Sequence, residues 1–108
     1  MSLINFITGG AGFIGSQLTN RLLSENQIVI SIDNLCTGNE ENIKLFKKNK
    51  NFKFIKYDIE QYFDTKVDRI WHLASIASPT NYLKNPIKTI NTCFLGTRNV
   101  LELALKNK

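Results

Sequence analysis

Four short apolar runs alternate with stretches in which apolar residues recur every three or four positions, an arrangement that folds as parallel strands joined by crossover helices. The first run, residues 3–7, gives way to a glycine cluster. Beyond it Ile14, Leu18 and Leu22 recur at helical spacing and predict the buried stripe of a helix ending near Asn26. Residues 28–32 form the second run, and both runs are almost wholly apolar, as strands covered on both faces are. Asn39 can cap a second helix, with Glu40 and Glu41 near its positive end and Lys47 and Lys48 near its negative end. Around Phe52, Lys53, Phe54 and Lys56 apolar and charged positions mix, which predicts an outer strand with one wet side. A fourth strand at about residues 69–73 leads through a polar loop to Asn85-Pro86, a capping residue and a proline suited to a first helical turn. The long helix that follows carries Ile87, Ile90, Phe94, Leu101 and Leu105 along one side. With right-handed crossovers these units predict an α/β fold whose parallel sheet runs in the order 3-2-1-4.

The length, 108 residues, suits a single domain over residues 1–108, and the composition, 43% hydrophobic, is that of a globular chain. No apolar run is long enough to cross a bilayer, and the first has no basic flank and no cleavage site after it. A cytoplasmic protein without a membrane partner is the expectation. Cys36 and Cys93 are too few and too far apart for a disulfide framework or a metal site, so free thiols are expected. The net charge of +5 raises the possibility of nucleic-acid binding. Much of it, however, is one cluster of Lys44, Lys47, Lys48, Lys50, Lys53 and Lys56, with no aromatic stacking series and no recognition helix around it. A solvated surface accounts for that cluster, and no nucleic-acid partner is expected.

The chemistry gathers at Thr8-Gly9-Gly10-Ala11-Gly12-Phe13-Ile14-Gly15, between the first strand and the first helix. A glycine-rich segment alone is a weak signal, but this one turns a strand into a helix whose free N–H groups and positive pole face the turn, a place that fits a pyrophosphate. Gly9 and Gly12 let the backbone turn tightly and approach phosphates, and Gly15 lets the helix pack closely on the sheet. This makes the sheet Rossmann-like. Asp33 ends the second strand eighteen positions after Gly15, where an acid accepts the adenosine ribose hydroxyls of NAD and repels the 2′-phosphate of NADP. An Asp-Asn pair also favours a simple turn, the alternative for this position. His72, the one histidine, closes a buried strand and is expected to be a satisfied core group.

The glycine segment, followed by Asp33-Asn34-Leu35-Cys36-Thr37-Gly38, resembles the extended short-chain dehydrogenase/reductases, the NAD-dependent epimerase/dehydratase group, over nearly the whole chain. Within it, the run from His72 through Ala77-Ser78-Pro79-Thr80-Asn81-Tyr82 and the segment Asn85-Pro86-Ile87-Lys88-Thr89 resemble the UDP-glucuronate decarboxylases more than the dTDP-glucose 4,6-dehydratases or the 4-epimerases. The resemblance implies NAD as cofactor, with Gly12, Phe13, Ile14, Asp33, Asn34, Thr37 and Gly38 around its phosphates and ribose, Asp58 and Ile59 bracketing its adenine, and Leu73, Ser75 and Thr92 as further contacts. It implies a nucleotide sugar, UDP-glucuronate or a relative, at Ala77, Tyr82 and Asn99, and a homo-oligomer paired through helices that include the one beginning at Pro86. Asp58 also follows the third strand, at the carboxyl edge where ligands of such sheets bind. Two positions depart from the pattern: Cys93 stands where relatives commonly carry asparagine, and Asn91 where the decarboxylases often carry lysine.

The family's reaction takes a hydride from the sugar C4 while a tyrosine removes the hydroxyl proton, decarboxylates the ketone, and returns the hydride. That tyrosine belongs to a Tyr-x-x-x-Lys pair expected downstream of the residues present. Tyr62 and Lys66 have the spacing, but lie in the polar connection before strand four. The chain is therefore expected to be an N-terminal portion, truncated before the second half of the fold, without catalytic residues and inactive alone. The alternative is a stand-alone dinucleotide-binding module or accessory subunit. The fourth strand is an apolar edge apt to recruit another chain.

Overall fold

The structure, a computed structural model, describes residues 2–35, 38–74 and 83–108. Strands β1 (Ile4–Thr8), β2 (Ile28–Asp33), β3 (Phe52–Lys56) and β4 (Arg69–His72) form one parallel sheet in the order β3-β2-β1-β4, as the alternation of runs predicts. Helix α1 (Phe13–Ser24) joins β1 to β2, and helix α2 (Pro86–Lys106) follows β4. Successive strand residues face opposite sides of the sheet, so each strand feeds two cores. Ile7 and Val29 join Leu22, Leu23 and Ile43 on the α1 side, while Phe6 and Ile32 join Ile59, Val67, Val100 and Leu103 on the α2 side. Each such side chain stabilises the fold by roughly 1.5–3 kcal/mol through removal from water. Strand β3, at the edge, exposes Lys53 and Lys56, and the other four lysines of the basic cluster are exposed as well.

Inside the sheet the buried Ser31 hydroxyl of β2 has no partner among the described residues, whereas Asn5 is fully matched. Fully buried Asn5 donates to the Gln27 side chain and to the Leu3 and Ile28 carbonyls, and accepts the indole N–H of Trp71 at 3.0 Å. Helix α1 stops where Asn26 takes a left-handed φ of 60°, which lets Gln27 N–H reach back to the Leu22 carbonyl and Asn26 N–H to the Leu23 carbonyl.

Three expectations change. Residues after Asn39 form two short 3-10 turns, Glu40–Asn42 and Lys44–Phe46, instead of a helix. Asn39 does cap, accepting Glu41 N–H at 2.9 Å, but Ile43 is the one fully buried apolar side chain of this stretch, with Phe46 half-buried against the core and Leu45 exposed, and so narrow an apolar face does not carry a helix this short. In α1, Ile14 is exposed, and the buried face is Gly15, Ser16, Thr19, Leu22 and Leu23, whose first three small side chains bring the helix close to the sheet. In α2 the apolar side is the outer one: Ile87, Ile90, Phe94, Leu101 and Leu105 are 59% to 72% exposed, while Thr92, Gly96, Val100 and Leu103 face the sheet. The inner face is small because Ile59 lies against it, where a Cβ on Gly96 would stand 2.8 Å from Ile59 Cγ2. Among the described residues no helix is long and apolar enough to cross a membrane.

Candidate functional site

Four strand ends and two helices meet at the carboxyl edge of the sheet. The chain leaves β1 through Gly9, whose φ of 73° few other residues adopt, and the N–H groups of Gly9 and Gly10 both donate to the Ile32 carbonyl, at 2.9 and 3.2 Å. The turn is thereby pinned to the end of β2. Gly15 backs onto it so closely that a Cβ there would lie 2.3 Å from the Gly9 carbonyl oxygen. Gly12 is the N-cap of α1 and supplies no side chain to cap it; the first intrahelical bond runs from Ser16 N–H to the Gly12 carbonyl, and the first turn holds no acid. The amides of Phe13, Ile14 and Gly15 are left without an intrahelical acceptor, at the end that carries roughly half a positive charge. Phe13 and Ile14 are exposed beside them.

Asp33 is buried at the end of β2, and its two carboxylate oxygens are divided. Oδ2 accepts the Ala11 N–H at 3.0 Å, tying β2 to the glycine turn, and Oδ1 accepts the Leu35 N–H at 2.7 Å. The second bond is the turn that an Asp-Asn pair favours, so that alternative is present alongside the first. A carboxylate has about four acceptor positions, and two remain. Gly38 lies against this group, since a Cβ on it would stand 2.7 Å from Oδ2.

Beyond β3, Asp58 and Glu60 flank the buried Ile59. The Lys88 ammonium donates to both carboxylates, Asp58 Oδ1 accepts the Glu60 N–H at 3.0 Å, and Asn34 hydrogen-bonds Asp58 from the loop after β2. Burial alone would raise the Asp58 carboxyl, but the Lys88 bond, the Glu60 N–H, the Lys88 charge and the Asn34 bond outweigh it and hold the group below its ordinary value. Burial works against the Lys88 charge too, and the two carboxylates outweigh it in turn, raising the ammonium above its ordinary value. Asn99, expected beside the sugar nucleotide, donates its side-chain amide to the Ile59 carbonyl at 2.7 Å and so serves this loop.

At the end of β4, Thr8 Oγ1 accepts the N–H groups of Leu73 and Ala74, at 3.0 and 3.1 Å, which uses both of its lone pairs. Its hydroxyl proton therefore goes to His72 Nδ1, 2.7 Å away, and His72 is held neutral with its proton on Nε2, directed at Thr97 Oγ1 at 3.3 Å. Burial lowers the His72 pKa, in keeping with that state. Both ring nitrogens are thus partnered within the fold. Thr92, on the inner face of α2, is buried with its hydroxyl unpartnered among the described residues.

Gly9, Gly12, Phe13, Ile14, Gly15, Asp33, Asn34, Gly38, Asp58, Ile59 and Leu73 all sit at this one edge, on the first turn of α1, the last residue of β2 and the turns and loops that follow the four strands. Thr37, Ser75, Ala77 and Tyr82 lie outside the described residues. Tyr62 and Lys66 are exposed in the connection between β3 and β4. Thr8, Glu60 and Lys88 also hold side chains or backbone at this edge, though the sequence did not single them out; their partners lie up to 66 positions away, with no local signal to find them. The groups at this edge fit a dinucleotide diphosphate: uncapped amides, backbone space that a Cβ would fill, and carboxylates beside them. Among the described residues no group of three or more potential ligands could hold a metal ion.

A family model, GDP-mannose 4,6 dehydratase, matches residues 6–108. UDP-glucuronic acid decarboxylase 1 of Danio rerio is 47% identical over 98 residues, which cover 91% of this chain and 23% of that protein. Among solved structures, an epimerase of Methanothermobacter thermautotrophicus superposes with a TM-score of 0.87 at 34% identity, over 98% of this chain and 32% of its own. The UDP-glucose 4-epimerase of Thermus thermophilus, in complex with NAD, gives 0.76 at 29% identity, over 97% and 34%. The chain spans between a fifth and a third of the length of these proteins.

Proposed function

Because the chain belongs to the GDP-mannose 4,6 dehydratase family, we propose that it is the NAD-binding portion of an enzyme that remodels a nucleotide sugar, with UDP-glucuronate as substrate and UDP-xylose as product. The observation that carries the reading is the uncapped amino end of α1, bent toward the sheet edge by Gly9 and Gly15 and joined to the Asp33 carboxylate through Ala11 N–H. Its free amides would hold the diphosphate, the open acceptor positions of Asp33 the ribose hydroxyls, and the loop at Asp58 and Ile59 the adenine. Leu73, Thr92, and Thr37 and Ser75 beyond the described residues, complete the proposed cofactor set; Ala77, Tyr82 and Asn99 are the proposed substrate side. NAD supplies a reversible hydride acceptor to the sugar when bound. The decarboxylase assignment is supported by 47% identity to proteins of that name, beside 34% to a solved epimerase and 28% to a solved dehydratase.

The Tyr62/Lys66 spacing sits exposed, away from this edge, so the isolated 108 residues bind NAD without turnover. The exposed apolar side of α2, with a groove lined by Cys93, Phe94, Thr97, Leu101 and Leu105, supports pairing of two copies along this helix. Calorimetric titration with NAD and NADP tests the cofactor reading. NAD is expected to bind at least tenfold more tightly; equal affinities would remove the ribose assignment of Asp33, and absence of NAD binding would overturn the whole reading.

A further inference from the structure

We propose that Lys88 is a positioning residue for the adenine end of the dinucleotide, locking the Asp58 carboxylate in the orientation that receives the adenine amine. The inference rests on the reading of the glycine turn as a dinucleotide site.

Lys88 lies in the first turn of α2, and its ammonium bridges Asp58 Oδ2 and Glu60 Oε2. Asp58 and Glu60 are two carboxylates on one short loop, and without a cation between them they repel. Asp58 Oδ1 is already bonded to Glu60 N–H, and the Asn34 side chain bonds the same carboxylate. Three of about four acceptor positions are thus filled, and the last has a single direction left to it. The Asp58 side chain is 31% exposed, so that direction is open to a ligand. The rest of α2 holds the loop from behind: Asn99 Nδ2 donates to the Ile59 carbonyl at 2.7 Å, and Gly96 admits the Ile59 side chain against the helix. A salt bridge of this exposure contributes little to stability by itself. Its consequence is geometric, because Lys88 is the charged one of the three groups that hold Asp58 and the one that binds its Oδ2 to the neighbouring carboxylate.

The test compares NAD with nicotinamide hypoxanthine dinucleotide, in which a carbonyl replaces the adenine amine and so meets the Asp58 carboxylate acceptor to acceptor. Calorimetric affinities are measured for the whole chain and for Lys88→Met and Lys88→Arg, with melting curves alongside. The wild type is expected to prefer NAD by about tenfold. In Lys88→Met that preference falls to within about twofold of unity through a weaker NAD affinity, and Lys88→Arg restores it. A purely structural lysine would weaken both ligands equally and leave the ratio alone. An unchanged ratio in Lys88→Met, with NAD still bound by the wild type, overturns the role of Lys88 and leaves the dinucleotide reading standing. A wild type that binds neither ligand overturns that reading and the inference with it. If the methionine variant is unfolded at the assay temperature, Lys88→Gln replaces it and is judged by the same ratio.

Discussion

Replacing Asp33 with alanine separates two jobs that the carboxylate performs at once. The substitution removes the acceptor of Ala11 N–H, which lies in a fully buried residue, and the acceptor of Leu35 N–H, which is half-buried. An amide stranded away from water costs about 1–3 kcal/mol, whereas water can replace the partner of Leu35 at a fraction of that. The expected loss is about 2–4 kcal/mol, from a total that for domains of this size is of order 5–15 kcal/mol. At about 4–8 °C per kcal/mol, the melting temperature measured by circular dichroism should fall by roughly 8–30 °C. Binding is then titrated where both proteins are folded, and the alanine variant should hold NAD at least tenfold less tightly. Asp33→Asn divides the effects: it keeps one acceptor for the turn, so it melts between the two, but it has no charge to turn away a 2′-phosphate, and its preference for NAD over NADP should shrink. If the alanine variant melts within about 2 °C of the wild type, the link from β2 to the glycine turn does not bear on the fold. An NAD affinity unaltered in the folded variant removes Asp33 from the ribose.

Gly15→Ala would place a Cβ 2.3 Å from the Gly9 carbonyl oxygen and 2.8 Å from Gly10 Cα, both backbone, so α1 must move off the turn. The strain of about 1–3 kcal/mol outweighs the roughly 1 kcal/mol that alanine gains in helix propensity, and a lower melting temperature with weaker NAD binding is expected; a variant equal to the wild type in both would show that the close approach is dispensable. His72 is held neutral by burial, so its folded pKa lies below the unfolded value of about 6.5. The unfolded chain therefore binds the extra proton first as pH falls, and stability present above pH 6.5 is lost progressively below it. Melting temperatures should drop between pH 7.5 and pH 5.5, and the drop should flatten in His72→Gln; an equal slope in both would exclude this group as the cause. Leu101→Asp, at a position 59% exposed, should abolish self-association in light scattering while leaving the helical signal unchanged, and a wild type that is monomeric throughout the concentration range would count against pairing along α2.

What the sequence disclosed was local in origin. Thr8 through Gly15 could be placed because a glycine turn between an apolar run and a helical stripe has one mechanical purpose, and Asp33 because it ends a run that had to be the neighbouring strand. The order 3-2-1-4 followed from right-handed crossovers and from the lysines of β3. Residues 39–46 misled because caps and end charges favour a helix, whereas its existence depends on an apolar face that here amounts to Ile43 and the half-buried Phe46. Lys88 with Asp58, and Thr8 with His72, were beyond reach: they join positions 30 and 64 apart, and nothing in the intervening residues marks the pairing.

Helix α2 shows why the sidedness of a helix cannot be taken from periodicity alone. Its apolar stripe is real, yet the sheet is met by Thr92, Gly96, Val100 and Leu103, because the loop at Ile59 must fit beneath the helix. Five large apolar side chains are thereby turned outward, and each would contribute on the order of 1.5–3 kcal/mol if covered. The same helix carries Lys88 and Asn99 to the loop at Asp58 and Ile59, so whatever covers the outer stripe also steadies the inner contacts. A cover that binds α2 in its docked position shifts the loop toward its ordered form, and the ligand that orders the loop must strengthen the cover by the same factor. NAD affinity should accordingly rise with protein concentration through the range in which the chain associates, and Leu101→Asp should remove that dependence while leaving the affinity of the dilute protein intact. An NAD affinity independent of concentration in a wild type that does associate would show that the two faces of α2 act separately.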